Sequence, residues 1–351
     1  MHESTHNGGP PPYRADAAGP LSGSGPLGEI VDAAPPHRPR YRLAAVLFVL
    51  TFLTTTTLGG VLYLVTRTDE TTALYPFLHP QTVMEVWRTP ELVRLGLSFS
   101  LPLLFILGSH ELGHYLACRR YGVPATLPYF LPAPLVIGTF GAFIRIRGRI
   151  RSKTQLFDIG IAGPLAGFVA LLPFLVLGVA WSRPGIAEIA TDPTRVEAIL
   201  YRPGTNLAIE ALTRVFHGRL PDNMVLDLHP FALAAWVGLF ATAINLLPMG
   251  QLDGGHLLYA VAGRLHRRLA WPTWIGVCAL GLLWVGWLVL CFMVLVLMGL
   301  RHPPVLDADE PLDPFRRKLA LVALALLVLC FTPVPLSYVA LESPTGVLVA
   351  R

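Results

Sequence analysis

Leu95–Cys118 reads LGLSFSLPLLFILGSHELGHYLAC, an apolar run that carries His110, Glu111 and His114 near its end. It lies between Arg94 and Arg119, and its one formal charge is Glu111. About 20 apolar residues cross the hydrocarbon core as a helix, so the run reads as a membrane span. His110 and His114 are spaced i, i+4, which puts both imidazoles on one helix face, one turn apart, within reach of a single ion. Glu111 stands about 100° further round, close enough to meet a water on that ion without ligating it. An acid at the centre of a spanning helix costs roughly 2.5–3.5 kcal/mol on insertion scales, and a bound divalent cation with its counter-charge offsets such a cost.

The composition agrees with a membrane chain. Hydrophobic residues make up 53% of the 351 and charged residues 14%, where a soluble domain carries about 25%. Mean hydropathy is +0.56. Five further stretches are long enough to span: Leu43–Thr66, Ile159–Ser182, Pro230–Leu252, Leu269–Leu300 and Leu319–Ala340. The expected fold is therefore an all-α polytopic membrane protein of about six transmembrane helices. Leu269–Leu300 is too long for one upright helix, and a tilt or an interfacial start near Trp271-Pro272 is expected. Residues 1–40 read as a disordered tail rich in proline and glycine, 41–340 as the embedded domain, and 341–351 as a short C-terminal tail. No cleavable signal is read in residues 1–36, so the first span reads as a retained anchor.

The net charge of +5 comes mostly from arginines that flank the apolar runs. Contact with the lipid bilayer is expected, and no nucleic acid. Arg38, Arg40 and Arg42, the cluster from Arg119 to Lys153, and Arg264, Arg267 and Arg268 fall on one side of a six-span layout. The positive-inside rule makes that side cytoplasmic. Arg316, Arg317 and Lys318 then dissent, because they would face outside. Cys118, Cys278, Cys291 and Cys330 make no C-x-x-C pair, so neither a disulfide framework nor a cysteine zinc knuckle is expected. Trp271, Trp274, Trp284 and Trp287 read as interfacial or core aromatics.

Val136–Arg147, VIGTFGAFIRIR, alternates late in the run and carries Gly138 and Gly141. It reads as a short β-hairpin or sheet after the second helix, dipping into the membrane, where irregular backbone must be buried in protein or line a wet cavity. The run Gly163–Gly167 reads as plain close packing against the second span.

Two histidines need a third partner, because a catalytic zinc keeps three protein ligands and one open position. Cys118 continues the face of 110 and 114, but one straight helix rarely wraps three ligands round an ion. Asp253 is better placed. It closes the fourth apolar run in NLLPMGQLDGGH, Asn245–His256, where Pro248 and Gly250 break the helix and Gly254-Gly255 permit close backbone approach. His256 reads as support for the site or as filler.

The His110–His114 helix, followed by Asn245-x-x-Pro248-x-x-x-Leu252-Asp253-Gly254, resembles the site-2 protease family of intramembrane zinc metalloproteases. Gly163–Gly167 and the glycine-bearing hairpin resemble it too, and the tail from His302-Pro303-Pro304 to Pro335 resembles its bacterial and chloroplast branch. The resemblance covers about residues 90–300. It implies one Zn2+ per chain on His110, His114 and Asp253, with Glu111 catalytic and Asn245 steadying the oxyanion or the substrate backbone. It further implies single-span membrane protein substrates, such as anti-sigma factors or membrane-tethered regulators. The expected location is a cell inner membrane with the site towards the cytoplasm, where the basic clusters put the ends of spans two and four. No PDZ insertion is evident. A metal-ion transporter or zinc-binding membrane protein is the competing reading, since intramembrane His and Asp also mark ion paths. A catalytically dead scaffold is a third.

Overall fold

A computed structural model describes residues 40–65, 80–133, 137–186, 196–221, 224–300, 302, 305 and 311–342. Residues 1–39 and 343–351 lie outside, and with them nearly all of both expected tails. Helices α1 (Tyr41–Val65), α3 (Pro90–Arg120) and α4 (Lys153–Trp181) are long and apolar enough to cross a membrane. Between the first two stands the short α2 (Pro80–Arg88), and α4 leads through α5 (Leu207–His217) to the apolar α6 (Pro230–Leu246).

The long helices pack antiparallel on small residues. Lipid tails are as apolar as leucine, so packing and interhelical hydrogen bonds hold such helices together. A Cβ at Gly96 of α3 would lie 2.2 Å from the Thr56 carbonyl oxygen of α1. Beside it Thr56 Oγ1 and Ser100 Oγ share a buried hydrogen bond of 2.8 Å. At Gly178 of α4 a Cβ would lie 2.2 Å from the Ala232 nitrogen of α6. Leu58, Phe99, Leu103, Ile106, Leu171 and Leu239 form the buried core where these helices meet. Leu101, Phe105 and Val169 stand exposed on the outer faces, as lipid-facing side chains would.

Three expected spans needed redrawing. The fourth helix stops at Leu246, because Pro248 has no amide proton and Gly250 adopts φ +57°. Asp253 therefore opens α7 (Asp253–Ala279) rather than closing α6. The stretch 269–300 is not one tilted span. Helix α7 runs through Trp271-Pro272 without a start there, ends in a 3-10 turn at Leu280–Leu282, and the chain reverses into α8 (Gly286–Met293) and a π turn at Val294–Met298. Trp274 Nε1 donates to the Cys291 carbonyl at 3.0 Å, and Gln251 Nε2 donates to that of Met298 at 2.7 Å. The end of the hairpin thus returns to the start of α7. Trp287 is fully buried in it, and Trp271 is exposed. The last helix, α9 (Pro314–Cys330), stops short of Ala340, and beyond Pro333 and Pro335 the chain is extended.

The fold is mostly helical but not all-α. The hairpin after α3 is present as β1 (Tyr129–Pro132) and β2 (Thr139–Phe143), antiparallel with Phe130 opposite Ala142. Its first strand precedes the alternating run, and Ile146 joins only an isolated bridge to Ala125. The turn reaches midway along α1, where Thr54 Oγ1 donates to the Gly138 carbonyl at 2.7 Å. Gly138 has φ +77°, and a Cβ there would meet the Thr55 Cα at 2.7 Å. Two unexpected pairs, β3 (Arg183–Ile186) with β5 (Met224–Asp227) and β4 (Val196–Pro203) with β6 (Leu336–Glu342), join segments beyond the ends of α4 and α9.

At the other end of the bundle, Arg316 Nε and Nη2 grip the Asp158 carboxylate at 2.7 and 2.5 Å, and Tyr121 donates to the same carboxylate. This cluster ties the starts of α4 and α9 to the end of α3.

Candidate metal centre

His110 and His114 lie on one turn of α3 and are 7% and 8% exposed. Their Nε2 atoms are 3.1 Å apart, and each is 3.3 Å from Oδ2 of Asp253. Among the described residues these three form the cluster of donors able to hold a metal ion. The triangle can be tested against an ion directly. Zinc bonds to histidine nitrogen and carboxylate oxygen run about 2.0–2.2 Å, so two corners of its tetrahedron lie roughly 3.3–3.6 Å apart. The two edges to Asp253 match the lower end of that range and the edge between the imidazoles falls about 0.2 Å short of it, within the tolerance of such sites, and the imidazole and carboxylate donors suit zinc. Three ligands leave the fourth corner open.

Two of the three candidate ligands are positioned by neighbouring backbone. His114 Nδ1 donates to the Ile159 carbonyl of α4 at 2.7 Å, which leaves Nε2 unprotonated for the ion. Asp253 is placed by the glycines after it. A Cβ at Gly254 would lie 2.0 Å from the Leu246 carbonyl oxygen, and one at Gly255 would lie 2.4 Å from that of Gly250. Only glycine lets the first turn of α7 seat so deeply against the end of α6.

The run Gly163–Gly167 does more than pack. A Cβ at Gly163 would lie 2.1 Å from His114 Nε2, and one at Gly167 would lie 3.1 Å from His110 Cβ. The two glycines therefore form the wall against which the two imidazoles stand. The signal was in the sequence: glycines at 163 and 167 repeat the four-residue spacing of histidines 110 and 114, so antiparallel helices bring the two pairs into register.

Glu111 is 8% exposed, and its carboxylate faces the backbone N–H of Ile144, just past β2. Asn245 Nδ2 lies 3.3 Å from His110 Nε2, at the rim of the donor triangle. Cys118 is buried among Val123 and Ile159, apart from the trio. His256 does not join it either; its Nδ1 pairs with His302 Nε2 at 2.7 Å.

Comparison with known proteins points to one family. The family model described as "Peptidase family M50" matches residues 98–279. The probable zinc metalloprotease EGY2, chloroplastic, of Oryza sativa subsp. indica is 31% identical over 242 residues, which cover 68% of this chain and 42% of that protein. EGY1, chloroplastic, of Arabidopsis thaliana, another probable zinc metalloprotease, is 30% identical over 315 residues, 87% of this chain and 55% of the relative. The chain thus spans about half the length of the curated relatives it matches. Two motifs, the metal-ready triangle they build and the family match over the same segment lead to one assignment: the chain belongs to peptidase family M50, the site-2 proteases.

Proposed function

We propose that this chain is an intramembrane zinc metalloprotease that hydrolyses peptide bonds within or near the transmembrane segments of membrane-anchored substrates. The observation that carries the reading is the triangle of two Nε2 atoms and one carboxylate oxygen with edges of 3.1, 3.3 and 3.3 Å, buried between three helices with Glu111 beside it. His110, His114 and Asp253 hold the ion. When bound, zinc supplies a Lewis acid that polarises the scissile carbonyl and brings the pKa of a water to about 7. Glu111 accepts the water proton on its carboxylate and returns it to the leaving amide nitrogen. The Asn245 amide donates to the oxygen on which negative charge develops.

A substrate helix must unwind before its peptide bonds can be attacked. Among the described residues β2 pairs only with β1, so its other edge is available to an extended segment. The substrate class that fits is a single-span membrane protein, whose unwound segment adds as a strand to that edge. Anti-sigma factors and other tethered regulators have this form.

The topology that supports this use has five crossings, α1, α3, α4, α6 and α9, with α7–α8 as a hairpin that re-emerges where it entered. Arg316, Arg317 and Lys318 then join Arg119, Arg120 and the 145–153 cluster at one end of the bundle, since Arg316 grips Asp158 at the start of α4. The dissent noted in the six-span layout disappears, and the positive-inside rule makes this end cytoplasmic. The proposed location is a cell inner membrane with the metal centre nearer its cytoplasmic face.

The test is co-expression with single-span substrates, comparing wild type with Glu111→Gln. The variant is expected to keep its zinc and to lose the cleavage product. A product that persists in a Glu111→Gln chain refutes the reading.

A further inference from the structure

The place of the His114 ring depends on where α4 stands along α3. His114 Nδ1 donates to the Ile159 carbonyl at 2.7 Å, and a Cβ at Gly163 would lie 2.1 Å from its Nε2. One turn further along α3, Cys118 packs with Ile159. The pairs His110–Gly167, His114–Gly163 and Cys118–Ile159 step along the two antiparallel helices together, so a slide of α4 takes the Ile159 carbonyl away from the ring. The glycines let the helices approach closely, but a wall without side chains does little to oppose a slide.

Asp158, the residue before Ile159, makes bonds that do oppose it. Lys153 and Asp158 are the only formal charges of α4, and an acid in a spanning helix needs a partner. Arg316 of α9 supplies one, with Nε and Nη2 donating to the two carboxylate oxygens at 2.7 and 2.5 Å. Such a two-pronged pair fixes orientation as well as distance. Tyr121, the residue that caps α3, donates to the same carboxylate. Arg316 is steadied in turn by Asp313, the residue that caps α9. The side chains of Arg316 and Asp158 are 25% and 26% exposed, so salt screens them less than a surface pair. Asp158 thus joins α3, α4 and α9 one residue, about 1.5 Å of helix rise, from the carbonyl that holds His114.

We infer that Asp158, clamped by Arg316 and Tyr121, is a positioning residue for the metal centre: it sets the register of α4 against α3 and so keeps the Ile159 carbonyl on His114 Nδ1. The inference rests on the reading of His110, His114 and Asp253 as metal ligands. Without the clamp α4 shifts, the carbonyl leaves the ring, and His114 turns out of its ligating orientation. The same turn of α4 also backs the third ligand, since a Cβ at Gly160 would lie 3.7 Å from the Asp253 carbonyl oxygen. Partners that orient a metal-bound histidine are worth about 10–100-fold in affinity, and a clamp acting through one of them falls at the lower end.

The experiment measures zinc affinity of the full chain in detergent, by competition against a chromophoric chelator, and the visible absorption of the same chain loaded with cobalt. Asp158→Ala leaves Arg316 paired with Asp313, so it strands no charge. It should bind zinc about tenfold more weakly and shift the cobalt bands. Asp158→Glu, which keeps a carboxylate for Arg316, should recover most of that loss. Arg316→Gln should weaken binding too, and the double variant should be no weaker than Asp158→Ala alone, because Arg316 acts through Asp158. Glu210→Gln, at an exposed ion pair of α5, should change nothing. Gel filtration and thermal unfolding of the stripped chains report the fold. Should Asp158→Ala fail to fold, Tyr121→Phe removes a single hydroxyl, and a smaller loss in the same direction is expected; unchanged affinity there overturns the clamp. An Asp158→Ala chain that unfolds at lower temperature, yet matches wild type in zinc affinity and cobalt bands, also overturns it, since Asp158 then serves the fold alone and the proteolytic reading stands. A wild-type chain that takes up neither metal overturns the metal centre, and the clamp with it.

Discussion

Replacing Gly163 with alanine would put a methyl carbon 2.1 Å from His114 Nε2, 2.4 Å from Cδ2 and 2.5 Å from Cε1. Ordinary carbon contacts begin near 3.4 Å, so the ring must retreat by roughly 1.3 Å. Zinc sites tolerate departures of about 0.2 Å in ligand distance. The His114 bond is therefore lost, and zinc affinity should fall by about 100-fold or more, at least ~2.7 kcal/mol. The helix itself does not suffer, because alanine is favoured over glycine in a helix interior by about 1 kcal/mol. Gly167→Ala is the internal control. Its methyl would meet His110 Cβ at 3.1 Å and Nδ1 at 3.2 Å, a conflict relieved by a shift of a few tenths of an ångström. Its affinity should stay within about tenfold of wild type. The assay is competition for zinc against a chromophoric chelator, with thermal unfolding of the stripped proteins to show that packing survives. A Gly163→Ala chain that binds zinc as wild type does would refute the argument that this glycine makes room for His114.

Asn245→Ala should keep zinc but lower kcat/KM by about 10²–10³, the usual effect of removing an oxyanion donor; zinc content and cleavage rate on one preparation check it. Proline at Ala142 or Ile144 should abolish cleavage of a membrane substrate while metal content stays at wild type, because the β2 edge and the N–H facing Glu111 are lost. The Asp313 side chain caps α9 by accepting from the Arg316 amide at 3.1 Å, and hydrogen bonding to Arg316 holds its carboxyl below the ordinary value of 3.8. A depressed carboxyl contributes stability above its unfolded pKa and loses it as pH falls through the folded one. Amides at the start of α9 should therefore exchange faster below about pH 3.8, and the effect should be absent in Asp313→Asn.

The metal triangle was legible because its code is local. A four-residue spacing fixes two imidazoles on one face, and a proline and glycine break marks where a carboxylate comes to rest. The long apolar runs were legible for the same reason. The reversal within 269–300 was not, because apolar length encodes burial and not direction; Gly281 and Gly286 were its faint trace. The β4–β6 pair joins Tyr201 to Tyr338 across the chain, and no local period announces a partner so far away. The role of Gly163 was also missed, since a small residue in an apolar run reads as packing until the group opposite it is known.

The family match starts at residue 98, past the end of α1. Yet α1 supplies the Thr54 hydroxyl that holds the tip of the hairpin at Gly138, and Phe48, whose ring meets Phe130 edge-on at 5.2 Å. A chain trimmed to the shared core would keep every metal-binding residue and lose the buttress behind its β-edge. The first helix therefore braces the hairpin as well as entering the bilayer, and damage to it should surface as failed cleavage in a protein that still carries its ion.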